Sequence, residues 1–288
     1  MPSTWALSNP VSGESVSNYM LRQLPEHATG YVHSVFQTSF NVKVGEFLVH
    51  VGSTSSPLSC LGLNIDPKRM QELLPCIRQG DRGIFRSGTL RIYNQQQVST
   101  IDYGSFPTED LHIGERTELT GPALLTQLRH MNLRDRIGIR WDNALEQALC
   151  SLRNPKADAA SLEAAITFLI GRGLGLTPSG DDILLGYGAG LQAWGNPELF
   201  CSSLRAMLNR QTTDVSIAYL NAMLDRYVNA DYHALFSAVR AGREAAYPAL
   251  LEAISHHGHT SGCDSLLGLL TAVELLCTAS STQAKTFK

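Results

Sequence analysis

Two short phrases in this 288-residue chain combine small hydroxyl residues, glycines and carboxylates at matching positions. The first runs Ser179-Gly180-Asp181-Asp182-Ile183-Leu184-Leu185-Gly186 and the second Ser261-Gly262-Cys263-Asp264-Ser265-Leu266-Leu267-Gly268, beginning 82 positions later (179 to 261). A serine, then an acid three positions on, then an apolar run is how a helix N-terminus with a capping box is written. The first amides of a helix lack intrahelical partners and its dipole leaves partial positive charge there, so two such starts could hold one small anionic ligand. Capping explains serine and acid but does not ask for Gly180 or Gly262, whose place in a first turn lowers helix propensity. Those glycines predict close approach of backbone or ligand. Gly186, Gly188, Gly190 and Gly268, inside the predicted helices, predict helices packed closely through their glycines, with both N-termini at one cleft.

The candidate ligand contacts are Thr177, Ser179, Gly180, Thr213, Ser216, His259, Thr260, Ser261 and Gly262, and the candidate catalytic groups are Asp181, Asp182 and Asp264. The three acids either cap and orient the loops, or contact Mg²⁺ or a substrate amide N–H. Thr212-Thr213-Asp214-Val215-Ser216 reads as another helix cap or as a third wall of the site. Arg172 adds positive charge beside the first phrase, or is a surface residue at a helix end. His256, His257 and His259 precede the second phrase without the spacing of a zinc site. The glycine-rich stretch 171–180 fails as a nucleotide loop. A P-loop needs lysine where Asp181 stands, and a dinucleotide fingerprint needs glycine at Leu176 and a preceding strand.

The elements that must position these residues fall into two groups. Residues 31–36, 40–44, 46–51, 84–86, 89–93 and 98–103 are rich in β-branched and aromatic residues and read as strands. A helix is expected at 12–24, closed by Pro25, and another from Asp66-Pro67 to about Gly80. From 122 onward apolar residues recur at helical spacing in nine segments, near 122–131, 140–153, 158–171, 181–194, 197–210, 214–228, 231–241, 243–256 and 262–278. The expected fold is α+β: a mainly antiparallel β domain over 1–118, a small barrel or sandwich, followed by an α-helical domain over 119–288, with a frayed tail at 280–283.

A net charge of −3 and 43% hydrophobic residues give neither a basic footprint for nucleic acid nor the composition of a disordered chain. The six cysteines are scattered without a Cys-x-x-Cys pair, as in a reducing cytoplasm. Met1-Pro2-Ser3-Thr4-Trp5 opens no export signal, and no uninterrupted apolar run is long enough to predict a membrane span.

Gly175-Leu176-Thr177-Pro178-Ser179-Gly180-Asp181-Asp182, with Thr212–Ser216 and Thr260-Ser261-Gly262-Cys263-Asp264 downstream, resembles a bacterial family that includes the AllH-type subunit of oxamate carbamoyltransferase, from anaerobic allantoin breakdown. The resemblance covers most of the chain. It implies a protein working with two other subunits, one similar to acyl-CoA synthetases, to interconvert carbamoyl phosphate plus oxamate with oxalurate plus phosphate. The Ser-Thr-Arg-Thr and His-Pro-x-Gln signatures of better-known transcarbamoylases do not occur, so carbamoyl transfer here would use another fold. Two other readings remain open: a non-catalytic ligand-binding or assembly subunit, and a metal-assisted amide hydrolase using the aspartates.

Overall fold

The computed structural model describes residues 13–94, 97–119, 121–208 and 211–286, the last eight by backbone alone. The chain divides into two compact units between Leu111 and His112. The opening residues 1–5 and the expected helix ends at 12 and 210 lie outside the described residues.

The first unit is one curled sheet of strands β1 (Ser15–Ser17), β2 (His27–Val35), β3 (Phe40–Val44), β4 (Phe47–Ser53), β5 (Gly62–Ile65), β6 (Arg82–Arg86), β7 (Thr89–Tyr93), β8 (Val98–Asp102) and β9 (Thr108–Glu109). Their order is β8-β7-β6-β2-β3-β4-β5-β1-β9. The pairing is antiparallel except at β4/β5 and β1/β9. Alternate residues such as Val32, Phe40, Val42, Val49 and Val51 are buried together on one face. The hairpin from β6 to β7 turns on Ser87 and Gly88, both at positive φ, as a two-residue turn matching strand twist requires.

The expected helix at 12–24 is shorter than its pattern. Residues 15–17 join the sheet and α1 covers only Asn18–Gln23, because Ser17 is its cap and accepts from Tyr19 N at 3.1 Å. Helix α2 (Pro67–Leu73) begins as expected, with Asp66 accepting from Lys68 N and Arg69 N, but Pro75 tightens the chain into a 3₁₀ turn at Leu74–Cys76 well before Gly80.

His50 on β4 places Nδ1 2.9 Å from Asn41 Oδ1, whose amide nitrogen donates to Ser34. Burial lowers the His50 pKa from 6.5 to about 4. Folding therefore excludes a proton. The associated stability is intact above pH 6.5 and is lost as pH falls from 6.5 towards 4, by up to about 3 kcal/mol. Melting between pH 7.5 and 4.5 checks this: His50→Gln should lose part of the acid sensitivity, and equal pH dependence in both proteins would contradict it.

The second unit is helical: α3 (Ala123–His130), α4 (Asn143–Arg153), α5 (Ala159–Leu169), α6 (Ser179–Trp194), α7 (Glu198–Met207), α8 (Asp214–Leu224), α9 (Ala230–Arg240), α10 (Tyr247–Ser255) and α11 (Ser261–Thr286). The segment after Leu111 is tied into it by Arg240, which donates to Ile113 O at 2.8 Å, and by Thr117 N to Ala193 O at 3.1 Å. Asp142 and Asp158 cap α4 and α5. Every residue of α6 except Leu185 is buried, which makes it the central helix. Beside it lies α11, which continues through the expected frayed tail because neither glycine nor proline interrupts residues 269–286. By length and composition residues 261–278 would also pass as a membrane span, but 61% of that stretch is buried within the protein, as in a core helix.

Candidate functional site

Glycines bring α6 and α11 together. A Cβ at Gly186 would overlap the carbonyl oxygen of Ser265, one at Gly268 would overlap that of Ile183, and one at Gly190 would sit 2.8 Å from Ala272 Cβ. Contacts advancing together along both helices mean that the two run side by side in the same direction. Their N-termini therefore lie at one end, where Thr177 and Ser261 hydroxyls meet at 2.9 Å.

The capping boxes expected at these starts do not form. Pro178 occupies the cap position of α6 and offers no side-chain acceptor, so Ser179 is already helical. In α11 the bond from Asp264 N to Thr260 O at 2.9 Å likewise puts Ser261 inside the first turn. Freed from capping, the acids bind outside their own helices. Asp181 accepts from Gly171 N at 2.8 Å and from the Thr212 hydroxyl. Asp264 accepts from Gly138 N at 2.9 Å. Gly138 is a glycine of necessity, since a Cβ there would lie 2.5 Å from Ser179 Oγ and closer still to Thr260 Oγ1.

Thr213 caps α8 by accepting from Ser216 N at 3.1 Å, and its hydroxyl donates to Leu176 O. It is thus a cap that also ties the start of α8 to the loop before α6. Gly180 and Gly262 are explained by backbone rather than ligand: a Cβ at either would overlap a carbonyl of the preceding helix, Leu169 or Ile254. Their amides are engaged too, donating to Arg172 O at 2.8 Å and His257 O at 3.1 Å. Arg172 turns back along α5, its guanidinium 3.9 Å from the Phe168 ring centroid, and His259 is exposed on the turn before α11.

Burial raises all three acids above the ordinary carboxylate pKa. For Asp182 the rise is large; the Ser261 hydroxyl opposes it, while the charges of Asp264 and Asp181 add to it. For Asp181 the Gly171 amide and the Thr212 hydroxyl oppose burial, and for Asp264 the Gly138 amide and the Thr260 and Ser179 hydroxyls do. One oxygen of Asp182 and one of Asp264, both Oδ2, are buried without a hydrogen-bond partner, as is Ser216 Oγ. The arrangement offers acceptors for N–H groups, hydroxyls for an oxyanion and a buried carboxyl whose proton affinity is raised. Among the described residues no three His, Cys, Asp or Glu side chains are grouped to hold a metal ion.

Residues 10–105 match the AllH family N-terminal domain, and residues 169–273, spanning both phrases, match the oxamate carbamoyltransferase subunit AllH. The chain belongs to the AllH family. No solved structure matches it.

In this AllH-family chain the structure also places groups near the paired starts that sequence reasoning left out. Asp231, on α9, has Oδ2 3.0 Å from His257 Nε2 and Oδ1 accepting from Tyr232 N at 2.8 Å. Tyr232 donates to Ser265 Oγ at 3.0 Å, and that hydroxyl donates to Gly262 O at 2.9 Å. The histidine run before α11 was the available signal for His257. Gly138 and Asp231 had none, because each is joined to the site only by the fold.

Proposed function

We propose that this chain is the subunit of an oxamate carbamoyltransferase in which the paired starts of α6 and α11 hold the small anionic amides. The family membership supports the reaction class. The observation that carries the site is the pair of unpartnered, buried oxygens on Asp182 and Asp264, beside the Thr177–Ser261 contact that joins the two starts. Carbamoyl phosphate and oxamate both carry amide N–H donors, which such oxygens accept, and both carry anionic oxygens, which hydroxyls and helix N-termini favour.

In the forward direction the oxamate nitrogen attacks the carbamoyl carbon. A C–N bond forms, the C–O bond to phosphate breaks, and one amide proton is released. Asp182 is the assigned base, because burial and neighbouring carboxylates raise its proton affinity. Two further subunits, one similar to acyl-CoA synthetases, complete the enzyme in this reading.

Calorimetric titration of the assembled complex with oxamate and with carbamoyl phosphate tests it. Both should bind, and Ser261→Ala should weaken binding about tenfold, the loss of one hydrogen bond of about 1.4 kcal/mol. Absence of binding to the complex, or unchanged affinity in the variant, would remove the site. The assembly reading draws on the same glycines, since Gly180 and Gly262 seat backbone carbonyls. It predicts that Ser261→Ala leaves ligand affinity untouched and instead releases the chain from its partners.

A further inference from the structure

Beyond the two phrases, the imidazole of His257 stands at this end of the helices beside the buried carboxylate of Asp231. Its side chain is 28% exposed, whereas that of Asp231 opposite is 5% exposed. One edge of the ring therefore meets a buried carboxylate while the rest of the side chain is partly open to solvent. One close contact, without the geometry of a hydrogen bond, places the ring, and two contacts place the backbone beside it. Nε2 lies 3.0 Å from Asp231 Oδ2, the backbone carbonyl accepts from Gly262 N at 3.1 Å, and a Cβ at the next residue, Gly258, would be 3.5 Å from Ser261 Oγ. Asp231 is in turn held by the amide of Tyr232, whose hydroxyl reaches Ser265 on α11. A buried carboxylate beside one imidazole nitrogen orients the ring, and an imidazole is the side chain suited to carry a proton to a leaving oxygen.

The proposed reaction needs such a group. Asp181, Asp182 and Asp264 are all acids, and none can offer positive charge to a departing phosphate. We propose that His257, oriented by Asp231, is the general acid that hydrogen-bonds to the leaving phosphate oxygen and protonates it as the C–O bond breaks. This inference rests on the carbamoyl-transfer reading above. The balance is complete: Asp182 takes one proton from the attacking amide, His257 gives one to phosphate, and solvent resets both groups. His257 opposes the effect of burial on Asp231, and both Asp231 and Asp182 act on Tyr232. On the turn itself His256 faces Glu252, 3.7 Å away.

The test is steady-state turnover of the assembled complex carrying His257→Gln, Asp231→Asn or, separately, Asp182→Asn, with assembly followed by size-exclusion chromatography. The expected result for His257→Gln is a fall in kcat of about a hundredfold, KM for either substrate within about threefold, and partial recovery on adding imidazole. Asp231→Asn should lower kcat less and remain insensitive to imidazole, as befits a positioning residue. A purely structural anchor would give loss of assembly or raised KM without imidazole rescue, and either result overturns the inference. If Asp182→Asn abolishes turnover while His257→Gln stays within threefold of the parent, the role of His257 falls and the site survives. If neither variant changes turnover, the carbamoyl-transfer site itself falls.

Discussion

Gly268→Ala is expected to leave the helical unit largely unfolded, and Gly186→Ala to do the same. In isolation either change would favour a helix by about 1 kcal/mol. Here the added carbon would overlap the carbonyl oxygen of Ile183 in the first case and of Ser265 in the second. It would also lie 2.7 Å from Tyr187 N at Gly268 and 3.1 Å from Leu269 N at Gly186. Backbone atoms within a helix cannot rotate aside as side chains do, so α6 and α11 would have to separate along their whole seam. That opens gaps under Ile183, Leu184 and Leu269, all fully buried. Overpacking against backbone and the resulting voids cost several kcal/mol, comparable with the roughly 5–15 kcal/mol that holds a domain together. Gly190→Ala is the graded control, because its new neighbours are Ala272 Cβ and Leu269 Cδ1, which are side-chain atoms. Thermal melting followed by circular dichroism should rank Gly190→Ala well above the other two. A Gly268→Ala protein within about 1 kcal/mol of the parent would show that the seam is looser than these contacts require.

Asp182→Asn should act in opposite directions on activity and stability. Loss of the assigned base is expected to lower kcat of the assembled enzyme by about 10²–10⁴-fold. The same change removes a carboxylate whose ionisation burial disfavours, with Asp264 and Asp181 adding to the penalty. An acid whose pKa is higher in the folded than in the unfolded state stabilises the fold fully only below its unfolded value near 4. The advantage is lost as pH rises through the folded value. The variant should therefore melt higher than the parent at pH 8, by about 1–3 kcal/mol, with the difference shrinking towards pH 4. Paired melts at the two pH values and a turnover assay decide the matter. A variant less stable at pH 8 would mean that Asp182 is held ionised by bonds the apparent isolation of its Oδ2 conceals.

Much of this architecture was written in local patterns. Helices α3 to α11 follow from apolar spacing, and Thr213 and Asp66 are caps as their residue types imply. The strands that were legible carry β-branched residues in alternation. Gly62–Ile65 carries little of that signal, and it becomes a strand by pairing with β4 and β1. Ser179 misled for a local reason: proline at 178 takes the position that the serine was expected to fill. The convergence of the two phrases was legible as repetition, and the glycines gave the contact between helices. What repetition could not reveal was where the acids reach. Gly138 and Thr212 are partners from distant turns, Gly171 is one from the loop just before α6, and the Asp231–His257 pair joins two elements with no shared motif.

The seam between α6 and α11 has a consequence for how the chain acquires its shape. Its two sides are separated by the whole of α7 to α10, so closing it costs about 4 kcal/mol of chain entropy before any contact along it is gained, on a flexible-loop estimate. Contacts of such high sequence separation slow folding. During synthesis the first phrase leaves the ribosome well ahead of its twin, and its apolar helix must wait for α11 to follow. Until then Gly186 and its neighbours are an uncovered groove, and the interval is when the nascent protein is most exposed to aggregation.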